Sequence, residues 1–403
     1  MRISITGCGI VNACGNDYQA VAQSLLSGHS GISAIRGFPT ETHPVKVAGI
    51  ATRFSAHDAV HPRFVAKTDR FTHFALAASE AAMMGAGIEM KLLDRSRAGI
   101  WFGNNSGGWD ICERGFKEFY RQGVEMINPW QATAWFPAAP QGFVSIRYEL
   151  TGCSKSFVAD RATGLVAVIH GARSLMRGEN DLVLAGGTEA PVTSFGATCY
   201  YETGEVADVD PARPVYRTLG NDVGGLVLGE GAAVLTLETT QALLRRQGSS
   251  LADIVGVAIT TDPGAVGYVR LAYAIRQALA QAQLTPEAID IVFGEGNGIV
   301  SCNAAEEAAL WEVFSETKNP PLYTSIKGYT GHMYGGSGAT EMIAALIAAQ
   351  YGKVPATLHA EKAQPFWRLP IATEVTTLKP RHALIIARAR EGVNAALILQ
   401  FSH

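Results

Sequence analysis

Several features are scarce or absent in this sequence of 403 residues. None of its six cysteines falls in a CxxC pair or at zinc-ligand spacing from a histidine, so we expect no metal site. It has no run of about 18 uncharged apolar residues, and no signal peptide precedes the first predicted strand. We therefore expect a soluble, cytoplasmic protein. The formal net charge of -3 gives no sequence-wide electrostatic reason to expect nucleic acid or an anionic membrane as a partner.

The sequence is instead rich in what a large core needs. Hydrophobic residues make up 47% of the chain and charged residues 17%, which excludes a disordered protein, and the length suits two packed α/β halves. Short apolar runs bounded by glycine predict strands near 2–7, 182–185, 232–237 and 291–293. They alternate with helical stretches, which is the pattern of a layered α/β fold.

Two helices of similar character are predicted, one in each half of the chain. The first begins after Ala162 and ends near Gly178, and the second begins after Gly338 and ends at Gly352. Their likeness suggests an internal duplication, and a polar stretch at 245–250 predicts a division into halves 1–247 and 248–403. Two further strands, at 383–387 and 394–401, are predicted to be joined by a turn at 391–392.

Four segments, in this order and spacing, resemble the β-ketoacyl synthases: DLVLAGGTEA at 181–190, LGEGAAVL at 228–235, SIKGYTGH at 325–332 and NAALIL at 394–399. Each segment alone is weak evidence, but together they span nearly the whole chain. The resemblance implies the α/β thiolase fold, in which two duplicated α/β halves give a five-layered αβαβα arrangement.

The resemblance also shows which catalytic groups are missing. Condensing members use a cysteine at a helix N-terminus, which is activated by the helix dipole, and two histidines that stabilise developing charge. In this sequence the cysteine position is Arg161, within VADRATG at 158–164, and the first histidine position is Glu295, within EGNG at 295–298. Lys327 and His332 match the family's lysine and second histidine. We therefore predict a chain that cannot form an acyl-enzyme and does not condense.

The two replacements have opposite charge, and the family geometry brings their positions together. An arginine at a helix N-terminus is repelled by the helix dipole, and its burial without a partner would cost a great deal of free energy. We therefore expect a buried Arg161–Glu295 ion pair in the old catalytic centre. The alternative is that Arg161 turns toward Asp160 or toward a backbone carbonyl.

Other segments resemble one branch of the family, the chain length factor or KSβ subunit of type II polyketide synthases. The runs NPWQATAWF at 128–136 and QGFVSI at 141–146 are similar to that subunit's interface segment, and ARAREG at 387–392 is similar to its C-terminal turn. Condensing enzymes have a mobile phenylalanine gate in this turn. Arg390 stands about where the phenylalanine would be, so we identify it as the former gate.

A chain-length pocket is predicted on the helix that includes GGWDICERGF at 107–116. In this branch the polyketide tunnel follows the heterodimer interface, and side chains of one helix limit its depth. Trp109, Cys112 and Phe116 lie at i, i+3 and i+7 on one helical face and match that region. The two large rings predict a short or medium product. The alternative is that the stripe only packs the core or an interface.

The resemblance implies a non-catalytic subunit of an acyltransferase complex. It would pair as a heterodimer with an active ketosynthase, KSα, form a minimal type II polyketide synthase and set polyketide length. We expect no bound cofactor, because an acyl carrier protein delivers the chain on its phosphopantetheine arm. Two alternatives stay open: a KSβ of a reducing, polyene-type system, and a decarboxylating ketosynthase-like enzyme that acts alone through Lys327 and His332.

Overall fold

A computed structural model describes residues 2–220, 224–264 and 266–402. The strands are β1 (Ile3–Asn12), β2 (Ile32–Ala34), β3 (Val47–Gly49), β4 (Ala98–Gly103), β5 (Lys155–Phe157), β6 (Leu182–Glu189), β7 (Gly231–Thr239), β8 (Ala252–Thr261), β9 (Ile291–Phe293), β10 (Leu322–Thr324), β11 (Lys353–Val354), β12 (Thr376–Thr377), β13 (His382–Arg388) and β14 (Val393–Gln400). The helices are α1 (Tyr18–Ser27), α2 (Ala56–Ala59), α3 (Pro62–Val65), α4 (Arg70–Gly85), α5 (Trp109–Gln122), α6 (Gln131–Ala134), α7 (Ala139–Tyr148), α8 (Thr163–Met176), α9 (Ser194–Tyr201), α10 (Thr240–Arg245), α11 (Val269–Ala282), α12 (Val300–Phe314), α13 (Lys327–Thr330) and α14 (Ser337–Tyr351).

The main sheet has ten strands in the order β10-β9-β13-β14-β8-β1-β7-β6-β4-β5. Its two halves repeat one topology, because in each the strands run third, second, fourth, fifth, first in order along the chain. The pairings are also the same in each half. The third, second and fourth strands pair in parallel, and the fourth with the fifth and the fifth with the first pair antiparallel. A short antiparallel pairing of β1 with β8 joins the halves. This repeat supports the internal duplication.

Helices cover both sides of each half-sheet. Helices α4 and α7 pack on the outer side of the N-terminal half, and α11 and α12 pack on the outer side of the C-terminal half. Helices α8 and α14 contact each other and strands of both halves, and their apolar side chains belong to one shared core. The predicted five-layered αβαβα arrangement is confirmed.

The two central helices begin in the same way. A short 3-10 turn precedes each of them, at Asp160–Ala162 before α8 and at Tyr334–Gly336 before α14. Each turn opens on a non-glycine residue in the left-handed region, Asp160 at φ 46° and Tyr334 at φ 41°. We call residues 160–163 the N-terminal elbow and 334–337 the C-terminal elbow. The sequence-predicted site residues Arg161 and His332 lie in or beside these two turns.

Further predictions concern the C-terminal hairpin, the boundary between the halves and membrane-spanning helices. The predicted C-terminal hairpin is confirmed as β13 and β14, which pair antiparallel around a turn with Gly392 at φ 93°. The division at residue 247, between α10 and β8, stays a prediction. Within the described ranges, no helix combines the length and the apolar character needed to cross a membrane.

Candidate functional site

Arg161, at the predicted nucleophile position, is a buried arginine with several partners. The side chain of Arg161 is 1% exposed, and its Nη1 lies 3.1 Å from Oε2 of Glu205. Its Nε lies 3.5 Å from Oδ2 of Asp160 and donates to the backbone carbonyl of Arg388 at 3.4 Å. The guanidinium therefore has acceptors on the elbow itself, on the loop after α9 and at the end of β13.

The expected Arg161–Glu295 ion pair is wrong. Both side chains are described, and each forms its close charged contacts elsewhere, Arg161 with Asp160 and Glu205 and Glu295 with His332 and Lys327. The alternative drawn from the sequence, a turn toward Asp160 and a backbone carbonyl, describes Arg161 correctly. Asp160 and Glu205 are each 16% exposed, so they can compensate the arginine at a smaller desolvation cost than a fully buried carboxylate.

Electrostatics keep Arg161 charged. Burial on its own lowers the pKa of Arg161, but Asp160, Glu295 and Glu205 outweigh burial and raise that pKa. A group that is always protonated has no lone pair with which to attack a thioester. Glu205 was missed at the sequence level, because it lies 44 residues from Arg161 and no motif marks it.

Arg390, the predicted former gate, belongs to the same cluster. Its side chain is 48% exposed, and its Nε lies 3.8 Å from Oε1 of Glu205. Its backbone N–H donates to Oδ2 of Asp160 at 2.7 Å. The C-terminal turn is thus tied to the N-terminal elbow by one backbone hydrogen bond and one longer ion pair. A gating role for this position stays a prediction.

The retained histidine has both ring nitrogens occupied. Nδ1 of His332 accepts from the backbone N–H of Tyr334 at 3.1 Å, so the neutral ring bears its proton on Nε2. Nε2 lies 2.7 Å from Oε1 of Glu295, to which it donates. Burial lowers the pKa of His332, with Glu295 opposing this, so the ring stays neutral. The Nε2–H group, which could stabilise an oxyanion, is taken by a carboxylate.

Lys327 compensates Glu295, the carboxylate at the predicted position of the first histidine. Its Nζ lies 2.8 Å from Oε1 of Glu341 and 3.6 Å from Oε2 of Glu295, and it donates to the carbonyl of Gly294 at 3.2 Å. Burial raises the pKa of Glu295, but the charge of Lys327 and the contact with His332 outweigh burial and lower that pKa to about 2. These side chains are at most 3% exposed, so Glu295 and Lys327 form a dry ion pair.

Glu306 is a second residue that sequence reasoning missed. Its two carboxylate oxygens accept from the backbone N–H groups of Glu295 and Gly296, each at 2.9 Å. It therefore fixes the loop that presents Glu295 to His332. The sequence does not indicate this role, because an acidic residue within a helix such as α12 is usually assigned to the solvent-exposed face.

Cys302, in the first turn of α12, lies near the degenerate centre although it is far from Arg161 in sequence. Arg161 and Arg388 both lower the pKa of its thiol, but burial dominates and raises that pKa. A protonated, buried thiol is a poor nucleophile. Cys302 therefore does not replace the missing cysteine.

The predicted chain-length residues lie on the side of α5 that faces α9. Nε1 of Trp109 donates to Oγ of Ser106 at 2.7 Å, and its ring packs 5.7 Å from Phe195 and 6.3 Å from Tyr200. Phe116 also packs on Phe195, at 5.6 Å, and is 46% exposed.

Cys112, between them, is partly buried. The residues of α5 that are buried within this chain are Ile111 and Gly115. Thus Trp109, Cys112 and Phe116 form a partly exposed surface that a partner could cover. A role in lining a tunnel stays a prediction.

Aromatic rings connect this surface to the degenerate centre. Tyr200, which packs on Trp109, lies 4.7 Å from Tyr334, and Tyr334 lies 4.8 Å from His332. The two predicted sites are therefore neighbours in one layer of packed rings.

The predicted interface segments are exposed and apolar. Trp135, Phe136 and Ile146 are 40%, 48% and 58% exposed, and Trp130 lies under the ammonium of Lys67 at 4.8 Å. Trp130, Phe136 and Ile146 line a groove on the surface of the N-terminal half, together with Phe64 and Phe143.

Comparison with known proteins gives a consistent result. Residues 1–242 match the N-terminal domain of β-ketoacyl synthases and residues 251–361 match their C-terminal domain. The chain is 32% identical to the tetracenomycin polyketide synthase ketoacyl synthase beta subunit of Streptomyces glaucescens, over 99% of this chain and 98% of that protein.

A further relative and a solved structure are also similar to this chain. The chain is 27% identical to 3-oxoacyl-[acyl-carrier-protein] synthase 2 of Staphylococcus aureus, over 99% of this chain and 98% of that protein. The solved ishigamide ketosynthase/chain length factor superposes with a TM-score of 0.92 at 25% identity, over 100% of this chain and 99% of that one.

Proposed function

Because this chain belongs to the β-ketoacyl synthase family, we propose that it is a non-condensing subunit, the chain length factor of a type II polyketide synthase. It pairs with an active ketosynthase and forms one wall of the tunnel in which the polyketide grows. The condensation itself takes place at the cysteine of the partner. An acyl carrier protein delivers the malonyl units and the growing chain on its phosphopantetheine arm.

One observation supports the non-condensing role above all others: the three groups that condensation needs are replaced or occupied. Arg161 stands at the nucleophile position and is held by Asp160 and Glu205. Glu295 stands at the first histidine position. It accepts a hydrogen bond from the Nε2–H group of the second histidine, His332. Neither a thiolate nor an unoccupied oxyanion donor is then left at these three positions.

The pairing and chain-length roles rest on different observations. The exposed apolar segments around Trp135 and Ile146 supply a surface that needs a partner. Trp109 and Phe116 lie half-buried beside α9, where a second subunit could complete a cavity. The similarity to a ketoacyl synthase beta subunit and to a ketosynthase/chain length factor agrees with this assignment.

A decarboxylase that acts alone is the competing function, and the retained Lys327 and His332 favour it. Both are engaged within the chain, because His332 donates to Glu295 and Lys327 pairs with Glu341 and Glu295. A malonyl thioester would have to displace a buried carboxylate to reach the Nε2–H group. The non-catalytic role is therefore the better supported one.

Co-purification and reconstitution test the proposal. A tagged chain should co-purify with a ketosynthase that has an intact cysteine and two histidines. The heterodimer should convert malonyl-carrier protein into polyketide, whereas the chain alone should release neither product nor carbon dioxide. A cysteine-to-alanine change in the partner should abolish product, and Arg161→Ala should leave condensation intact.

Product or decarboxylation from the isolated chain would contradict the non-catalytic role. A stable homodimer that never exchanges with a ketosynthase would contradict the pairing. The degree of reduction of the product separates an aromatic pathway from a polyene-type pathway, because only the latter requires reduction in each cycle.

A further inference from the structure

The indole of Trp109 is held from two sides. Its Nε1–H donates to Oγ of Ser106 at 2.7 Å. On the other side lies Gly196 of α9, where an added Cβ would come within 2.8 Å of Cγ of Trp109. The ring therefore fits in this place because residue 196 has no side chain. Its N–H group has an acceptor because residue 106 has a hydroxyl group.

The direction of the Ser106 hydroxyl is fixed by a buried carboxylate. Oγ of Ser106 lies 2.6 Å from Oε1 of Glu189, a residue with 0% exposure at the end of β6. An indole N–H can only donate, and Oε1 of Glu189 also accepts from the side-chain amide of Asn104 and from the backbone N–H of Ser106, so this oxygen acts as an acceptor. Ser106 must then give its single proton to Glu189 and offer its lone pair to Trp109.

Glu189 is itself fixed by backbone groups on two segments. Its oxygens accept from the backbone N–H groups of Asn105 at 2.9 Å, of Ser106 at 3.2 Å and of Gly335 at 3.2 Å. Gly335 belongs to the C-terminal elbow, beside the degenerate centre. The side chain of Glu189 thus connects the turn before α5 to the turn at the start of α14.

From this geometry we infer that Ser106, oriented by Glu189, is a positioning residue that sets the depth of the chain-length pocket by holding the indole of Trp109 in one rotamer. This inference rests on the proposed function, because Ser106 acts through Trp109, and the role of Trp109 in limiting chain length is part of that function. A hydrogen bond of ordinary net strength changes a rotamer equilibrium by about two- to tenfold, which is enough to broaden a product distribution.

Replacement of Ser106 in the heterodimer tests the inference. With malonyl-carrier protein as substrate and the ketosynthase that co-purifies with the chain, Ser106→Ala should raise the share of longer products by about two- to tenfold. Ser194→Ala is the matched control, because no described residue provides a hydrogen-bond partner for that neighbouring hydroxyl. Thermal melting should show both variants folded.

A double-mutant cycle distinguishes positioning from a general loosening. Trp109→Phe removes the N–H group and keeps an aromatic ring, so Ser106→Ala should add nothing in that background. Equal effects of Ser106→Ala with and without Trp109 would overturn the inference. Unchanged product length in Ser106→Ala, together with longer products in Trp109→Ala, would also overturn it while the chain-length function stands.

A spectroscopic readout is independent of product length. The emission of Trp109, obtained as the difference between each protein and its Trp109→Phe counterpart, should shift in Ser106→Ala and not in Ser194→Ala. If Trp109→Ala leaves product length unchanged, the proposed chain-length function fails, and this emission still decides whether Ser106 positions the indole. An identical emission in Ser106→Ala would overturn the positioning role.

Discussion

The two elbows have the same backbone and different polar surroundings. Both begin with a non-glycine residue at positive φ and lead through a 3-10 turn into a central helix. Around the N-terminal elbow, Arg161 is compensated by carboxylates that are still 16% exposed. Around the C-terminal elbow, His332, Glu295 and Lys327 are at most 2% exposed. The same backbone geometry therefore accommodates two different sets of charged side chains.

The difference follows from where an opposite charge was available. Glu295 lies within 3.6 Å of Lys327, whose matching position in the family is also a lysine, so the new carboxylate has a buried counter-charge. Arg161 forms its close ion pairs with Asp160 and Glu205 at the edge of the site, whereas the buried Glu295 raises its pKa without forming such a pair. The C-terminal cluster should therefore be the more costly one to disturb.

Removal of the buried cation should have the largest effect. Lys327→Met leaves Glu295 and Glu341 without compensation in a dry environment, and we expect a loss of about 3–5 kcal/mol in the free energy of unfolding. Chemical denaturation measures it. The matched control is Lys117→Met, where the lysine is 57% exposed and pairs with Glu113, and this change should cost less than about 1 kcal/mol. Similar losses in the two variants would contradict the contrast between buried and exposed pairs.

The pH dependence of stability should report on the carboxylate that holds the C-terminal elbow. Burial raises the pKa of Glu189 from 4.5 to about 7, so the folded protein retains a proton that the unfolded chain releases. The free energy of unfolding should therefore fall as pH rises from 4.5 to 7, by about 3 kcal/mol in total from this group.

Glu189→Gln should remove that part of the slope, measured by denaturation at several pH values. Burial also raises the pKa of Asp69 and of Glu341 to about 6, and these groups titrate in both proteins, so their contributions cancel in the difference. Parallel curves for the two proteins would contradict the assignment of the slope to Glu189.

Neutralisation of the N-terminal cluster should have a smaller effect. Arg161→Met removes the cation, but Asp160 and Glu205 can gain water because they are already partly exposed. We expect a loss of about 1–2 kcal/mol, between the values for exposed and for fully buried pairs. A loss as large as that of Lys327→Met, under the same denaturation conditions, would show that the two elbows do not differ in this respect.

The smallest effect should come from the former gate. Arg390→Ala removes a half-exposed ion pair of 3.8 Å and retains the backbone hydrogen bond to Asp160, so the loss should be below about 0.5 kcal/mol. Hydrogen exchange of the Arg390 amide provides the second measurement, and its protection should be unchanged. Loss of that protection would indicate that the side chain, and not the backbone, holds the turn.

Much of the fold could be predicted from local patterns. Helices α8 and α14 and the hairpin of β13 and β14 follow from apolar spacing and glycine positions, whereas the helix that includes Trp109 was expected from the family resemblance. Arg161 and Glu295 could be assigned to the predicted catalytic positions because flanking motifs fix the register. These are properties of neighbouring residues, which a sequence displays directly.

The partners of the charged residues could not be predicted in the same way. Opposite charge at facing positions suggested an Arg161–Glu295 pair, but the guanidinium has acceptors on Asp160, on Glu205 and on the carbonyl of Arg388. The choice depends on side-chain reach and on which carboxylate can remain partly hydrated. Neither quantity can be obtained from spacing along the chain.

The sequence by itself determined the family and the layered α/β architecture, because motif order and residue type are sufficient for these. Only the tertiary structure decided how the vacated centre is stabilised and what fixes the indole of Trp109. Glu295 reaches His332 across 37 residues, and Glu189 reaches Ser106 across 83. Such contacts form only after folding has buried these groups away from water and has brought residues that are distant in sequence close together in space.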